Sequence, residues 1–161
     1  MSLITLKFFI FLCVMLIAFY TVPKSGQWMV LLSGSLIFYG FASPYYLIFL
    51  FISAISAYAC GGLLETDRSK KYVVIAVVIN IGILAVLKYT GFFTEIINSI
   101  FKTDIPYLRF MLPLGISFYT FMIVSYVVDV YRGDIKAEKN FLKFLLFVCY
   151  FPQITEGPIN R

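Results

Sequence analysis

Thirteen basic and eight acidic side chains are spread along 161 residues that contain no histidine. A general base working near neutral pH is most often histidine, because its pKa lies near 6.5. The sequence also lacks a nucleophile elbow, a phosphate-binding loop and a dinucleotide fingerprint. Cys13, Cys60 and Cys149 sit inside apolar stretches with no C-x-x-C pair, so they are expected to be buried structural thiols. No catalytic residue, metal ligand or bound cofactor is expected in this stretch. Two constellations remain. Asp129 and Arg132 lie three apart on a predicted helix and share a face. They form either an ion pair closing a span near the interface or part of the lining of a substrate passage. Gln153, Glu156, Asn160 and Arg161 cluster in a stretch punctuated by Pro152, Gly157 and Pro158. They either satisfy backbone groups at a turn or contact a substrate, since irregular backbone at membrane depth must face protein or water. Ser117, Tyr119 and Thr120 read as helix-to-helix hydrogen-bonding residues.

The elements that must position these groups are apolar. Hydrophobic residues make up 61% of the chain and charged ones 13%, against about half and a quarter in a soluble domain. The expected fold is all-α and polytopic, with five to six membrane segments. Leu3–Val22 reads as an uncleaved first span and Trp28–Phe41 as a marginal second one. Pro44 breaks the chain at a tight hairpin before Tyr45–Leu64, whose small residues favour close helix contact. Glu65–Lys71 is the clearest aqueous loop. Tyr72–Leu87 is the fourth span, ended by Lys88-Tyr89-Thr90-Gly91, and its Asn80 is expected to bond a neighbouring helix. Phe92–Phe101 has an apolar half-wheel too short to span, and reads as a short interfacial helix or one packed on protein. Leu112–Tyr131 is the fifth span, with Pro113 in its first turn and Gly133 as its C-terminal glycine. Phe141–Phe151 is too short to cross and reads as a re-entrant or steeply buried element.

The net charge of +5 does not indicate nucleic-acid binding, because the basic residues lie at the ends of apolar runs where they meet lipid headgroups. With six crossings, Lys24, Arg68, Lys70, Lys71, Arg132, Lys136, Lys139 and Lys143 share one side. Lys7, Lys88, Lys102, Arg109 and Arg161 fall on the other. The bias favours the first side as cytoplasmic and an outside N-terminus.

Two phrases carry a family resemblance. One is Pro113-Leu-Gly-Ile-Ser-Phe-Tyr-Thr-Phe121, continuing to Tyr126-Val-Val-Asp-Val-Tyr-Arg-Gly133; the other is Phe151-Pro-Gln-Ile-Thr-Glu-Gly-Pro-Ile-Asn-Arg161. Together they resemble the membrane-bound O-acyltransferase family, in its bacterial branch of alginate O-acetyltransferases and teichoic-acid D-alanyl transferases. The resemblance is strongest over Lys88–Arg161. It implies transfer of an acyl group from a thioester donor, acyl-coenzyme A or an acyl-carrier protein, to hydroxyls of a cell-envelope polysaccharide or teichoic acid. It also implies a multi-pass place in the bacterial cytoplasmic membrane and an extracytoplasmic transferase partner. The Gln153–Arg161 cluster would then be placed to contact the donor or its carrier. The family's catalytic histidine lies downstream of Arg161, so residues 1–161 read as an N-terminal membrane portion that is inactive alone. The alternatives are a transporter or channel subunit and a non-catalytic membrane scaffold.

Overall fold

The computed structural model describes residues 6–42, 44, 47–101 and 115–150. These residues form six helices: α1 (Leu6–Thr21), α2 (Gln27–Ala42), α3 (Leu47–Thr66), α4 (Lys70–Phe101), α5 (Ile116–Arg132) and α6 (Phe141–Cys149). No strand occurs among the described residues, as the unbroken apolar runs require.

Helices α3, α4 and α5 pack mutually and make the centre of the bundle. The buried face of α3 is built from small side chains, Ser53, Ala54, Ala57, Cys60 and Gly61, with Leu50 and Leu64 at its ends. Small residues let helix backbones approach closely, which is the main source of attraction where no hydrophobic effect operates between helices. Helix α6 inserts between α2 and α3 and packs on both, and α1 packs on α2 with Met15 lying directly over Gly34. The expected hairpin therefore joins α2 to α3 in sequence without pairing them closely in space. Helix α6 takes the place between them.

Five sequence expectations change in detail. The aqueous loop shrinks to Asp67–Ser69, because α3 runs to Thr66 and α4 starts at Lys70. Lys88–Gly91 does not end the fourth span, and Phe92–Phe101 is no separate interfacial helix. Both belong to α4, a single helix of 32 residues. Thr90 satisfies its hydroxyl within the helix by donating to the Val86 carbonyl, and Lys88 sets its ammonium over the Tyr89 ring, 5.7 Å from the centroid. At 1.5 Å per residue α4 is about 48 Å long, well beyond the ~30 Å of a bilayer's hydrocarbon core. Helix α5 starts at Ile116, after Gly115 in the left-handed conformation (φ 70°). Pro113 lies outside the described residues. Finally, Cys60 and Cys149 are buried as expected, but Cys13 is exposed on α1.

Two stretches among the described residues, Leu47–Thr66 and Lys70–Phe92, are long and apolar enough to cross a membrane, and two shorter apolar helices, Phe8–Thr21 and Gln27–Phe41, accompany them. Large apolar side chains face outward on these elements, including Ile17, Phe41, Ile48 and Val78, each at least 60% exposed. An outward surface of this kind is costly in water and neutral in lipid. One polar exception is bonded inside the bundle through its amide nitrogen. Asn80, fully buried on α4, donates from Nδ2 to Ser56 Oγ on α3 (3.0 Å) and to the Ala76 carbonyl (2.8 Å), as the sequence led us to expect.

Candidate functional site at the α5–α6 turn

The site begins with how α5 ends. Gly133 adopts φ 82°, a left-handed conformation that glycine reaches without a side-chain clash. The Gly133 amide donates to the Val130 carbonyl and the Asp134 amide to the Asp129 carbonyl, both at 3.0 Å. This pair of bonds is a Schellman motif, and it turns the chain off the helix axis. At the other end of the turn, Asn140 accepts from the amides of Leu142 (3.0 Å) and Lys143 (3.4 Å) and so caps α6.

Between these fixed ends, side chains from the bundle hold the loop backbone. Glu65 Oε1 on α3 accepts from the Ala137 amide at 2.9 Å. Tyr126 Oη on α5 accepts from the Glu138 amide at 3.0 Å. Tyr58 on α3 donates to the Lys139 carbonyl at 2.7 Å. Glu138 Oε1 accepts from the Asn140 amide at 3.0 Å. Four successive residues are thus tied to side chains, which makes the turn a well-defined element rather than a free loop. Tyr126 is central to it. Its ring packs 4.6 Å from that of Phe144 on α6 and lies flat enough against α3 that a Cβ at Gly61 would sit 3.1 Å from its Oη. The same contacts bring the Asp67–Ser69 connection to this end. The Arg68 guanidinium lies against Gly133, with Nη2 2.9 Å from where a Cβ would stand.

Under this turn, between α5 and α6, lies a cavity of about 260 Å³. Asp129, Lys136, Glu138 and Lys143 are the charged residues among its lining, the last three exposed to solvent. Its apolar wall comes from Met122, Ile135, Phe144 and Phe147. Asp129 is half-buried, and its Oδ2 receives one long hydrogen bond, 3.4 Å from Ser125 Oγ.

The structure therefore divides the sequence candidates. Asp129 faces the cavity, whereas Arg132 is exposed and is not among its lining residues. The two form no ion pair; Asp129 turns to Ser125, one helical turn back, instead. Gln153, Glu156, Asn160 and Arg161 lie outside the described residues. Tyr119 and Thr120 are buried, but among the described residues Tyr119 Oη and Thr120 Oγ1 find no hydrogen-bond partner, so no helix-to-helix bond from these hydroxyls is seen there. Sequence reasoning missed Glu138, Lys136 and Lys143 as cavity residues, along with the holding role of Tyr58, Glu65 and Tyr126. The Asn140 cap was the available signal, because an Asn directly before an apolar run marks a helix start. It would have fixed the far end of the turn.

Comparison with known proteins gives a consistent picture. The chain is 32% identical over 162 residues to the probable alginate O-acetylase AlgI of Pseudomonas aeruginosa, which covers 95% of this chain and 31% of that protein. It is 30% identical over 160 residues to the peptidoglycan O-acetyltransferase of Helicobacter pylori, covering 82% of this chain and 30% of that protein. A shorter match of 48 residues, at 44% identity, joins it to the teichoic acid D-alanyltransferase of Lacticaseibacillus rhamnosus, covering 30% of this chain and 12% of that protein. No family model and no solved structure matches the chain. The chain spans about a third of the length of the first of these relatives. Over nearly its whole length the chain is therefore similar to two envelope-polymer O-acetylases, and over a shorter stretch to a D-alanyltransferase.

Proposed function

We propose that the protein to which this chain belongs is an O-acyltransferase of the bacterial cytoplasmic membrane, moving an acetyl or D-alanyl group onto hydroxyls of a cell-envelope polysaccharide or teichoic acid. The observation that carries the reading is the match over 95% of the chain to a probable alginate O-acetylase. The relatives' names share acyl transfer and differ in the acyl group and the polymer, which leaves both open. In the reaction an acceptor hydroxyl attacks the carbonyl of a thioester. A C–O bond forms, the C–S bond breaks, and the hydroxyl proton ends on the departing thiol. The donor is an acyl-coenzyme A or an acyl-carrier protein, and an extracytoplasmic transferase is a further partner. A base must take the proton, and this stretch contains no histidine to do so. Its helices supply part of the membrane wall around the reaction path.

In this reading helices α1 to α5 cross the membrane. The end that carries the α3–α4 and α5–α6 turns is cytoplasmic, because Arg68, Lys70, Lys71, Arg132, Lys136, Lys139 and Lys143 gather there. Helix α6, nine residues and about 13 Å long, enters the bilayer without crossing it. A transporter would be expected to show a repeated hydropathy pattern and a charged residue at mid-span, and the sequence offers neither. The test is transfer of labelled acetyl from acetyl-coenzyme A, and separately from a carrier-protein thioester, to polymer by membranes holding the intact protein. Transfer by the intact protein and none by residues 1–161 alone is expected. Turnover by residues 1–161 above background thioester hydrolysis would overturn the reading of this stretch as non-catalytic.

A further inference from the structure

We propose that the cavity between α5, the 133–140 turn and α6 binds the phosphoethanolamine headgroup of a membrane phospholipid. The argument starts from charge. Asp129, Glu138, Lys136 and Lys143 line one cavity of about 260 Å³. Glu138 is occupied on one oxygen by the Asn140 amide, and Asp129 holds only its long bond from Ser125. Among the described residues, neither carboxylate is ion-paired to either lysine. Two acidic and two basic residues thus border one space at the surface without pairing with each other. A simple anion would leave both carboxylates facing its charge, and a simple cation would do the same to both lysines. A zwitterion satisfies all four: its phosphate between the lysines, its ammonium against Asp129 and Glu138. A primary ammonium carries three N–H donors, which suit two carboxylates and the Ser125 hydroxyl. A trimethylammonium group offers none of these donors.

The rest of the cavity points to a lipid rather than a soluble zwitterion. One wall is Met122, Ile135, Phe144 and Phe147. Of that wall, Phe147 on α6 is itself 36% exposed and so also meets the surroundings. Acyl chains can follow this wall while the headgroup stays at the level where Lys136 and Lys143 extend toward water. The site is prebuilt, because Tyr126, Glu65 and Tyr58 hold the loop that carries Lys136 and Glu138. The inference rests on the membrane placement proposed above and is independent of acyl transfer.

Native mass spectrometry of the intact protein in detergent, titrated with equal amounts of phosphatidylethanolamine and phosphatidylglycerol, tests it. Fractionation of the protein with membranes and its extraction only by detergent check the membrane placement separately. Wild type is expected to retain the ethanolamine lipid in preference. Asp129→Asn should lower that retention about tenfold, the loss of one charge-assisted contact, without lowering glycerol-lipid retention. The double variant Lys136→Gln, Lys143→Gln should weaken retention of both lipids, since both carry the phosphate. All three positions are solvent-accessible, and an unchanged unfolding midpoint would show that the variants fold. Equal retention of the two lipids by wild type, or an Asp129→Asn variant indistinguishable from it, would overturn the proposal. So would displacement of the lipid by soluble glycerophosphoethanolamine at the same concentration, which would make the ligand a soluble zwitterion.

Discussion

Gly61 and Gly62 are adjacent in α3, and an alanine at each isolates what close packing contributes. Both variants gain the same helix propensity, about 0.5–1 kcal/mol in an ordinary helix interior. They differ in surroundings. A Cβ at Gly62 meets nothing within 4 Å, whereas one at Gly61 stands 3.1 Å from both Cε1 and Oη of Tyr126. Tyr126 cannot yield freely. Its ring is held 4.6 Å from Phe144, and its hydroxyl accepts the Glu138 amide at 3.0 Å. An added methyl in a filled contact of this kind costs about 1–3 kcal/mol. The propensity gain cancels between the two variants, so Gly61→Ala should be less stable than Gly62→Ala by about 1–3 kcal/mol. Unfolding would be followed by thermal denaturation of the intact protein in micelles. Hydrogen exchange at the Glu138 amide should rise in Gly61→Ala alone, because a displaced Tyr126 releases that N–H. Equal stability of the two variants, with equal protection at Glu138, would refute the account of the α3–α5 contact and of the turn it supports.

Other substitutions probe separate parts of the structure. Asn140→Ala removes the cap on the Leu142 and Lys143 amides and should cost about 1 kcal/mol, read as a lowered unfolding midpoint. Gly133→Ala forces a side chain into the left-handed region at φ 82° and should cost about 1–2 kcal/mol, while Gly133→Asn, which tolerates that region better, should cost less in the same assay. Asn80→Ala breaks the α4-to-α3 bond to Ser56 and should lower stability by about 0.6–2 kcal/mol. Ser69→Cys should resist an impermeant thiol reagent in intact cells and react once the membrane is opened; ready labelling in intact cells would reverse the proposed orientation.

Much of this fold could be read from local chemistry. Asn80 stood out because a carboxamide in an apolar run needs a partner, and Gly133 because a glycine after a basic last turn ends helices. What the sequence hid has physical causes. Lys88-Tyr89-Thr90-Gly91 resembles a break, yet threonine can return its hydroxyl to the preceding turn and lysine can lie along an aromatic ring, so polar residues persist inside α4. The partner of α2 was illegible because a helix apolar all round has no preferred face, and nothing in its own sequence selects α6 over α3. The cavity was half legible. Asp129 was visible as an ionisable group on an apolar helix. Glu138 and Lys136 looked like ordinary loop charges, and the tertiary contacts of Tyr58, Glu65 and Tyr126 hold the loop that brings them to it, while Lys143 comes from α6.

The central claim is that the protein containing this chain acylates an envelope polymer. Its most direct test is the ester content of that polymer: base-labile acetyl and D-alanyl groups, released from purified envelope polysaccharide and teichoic acid and quantified, with and without the gene. The account predicts that one ester class falls sharply when the gene is deleted and returns when the intact gene is restored. Unchanged content of both ester classes in the deleted strain would contradict it.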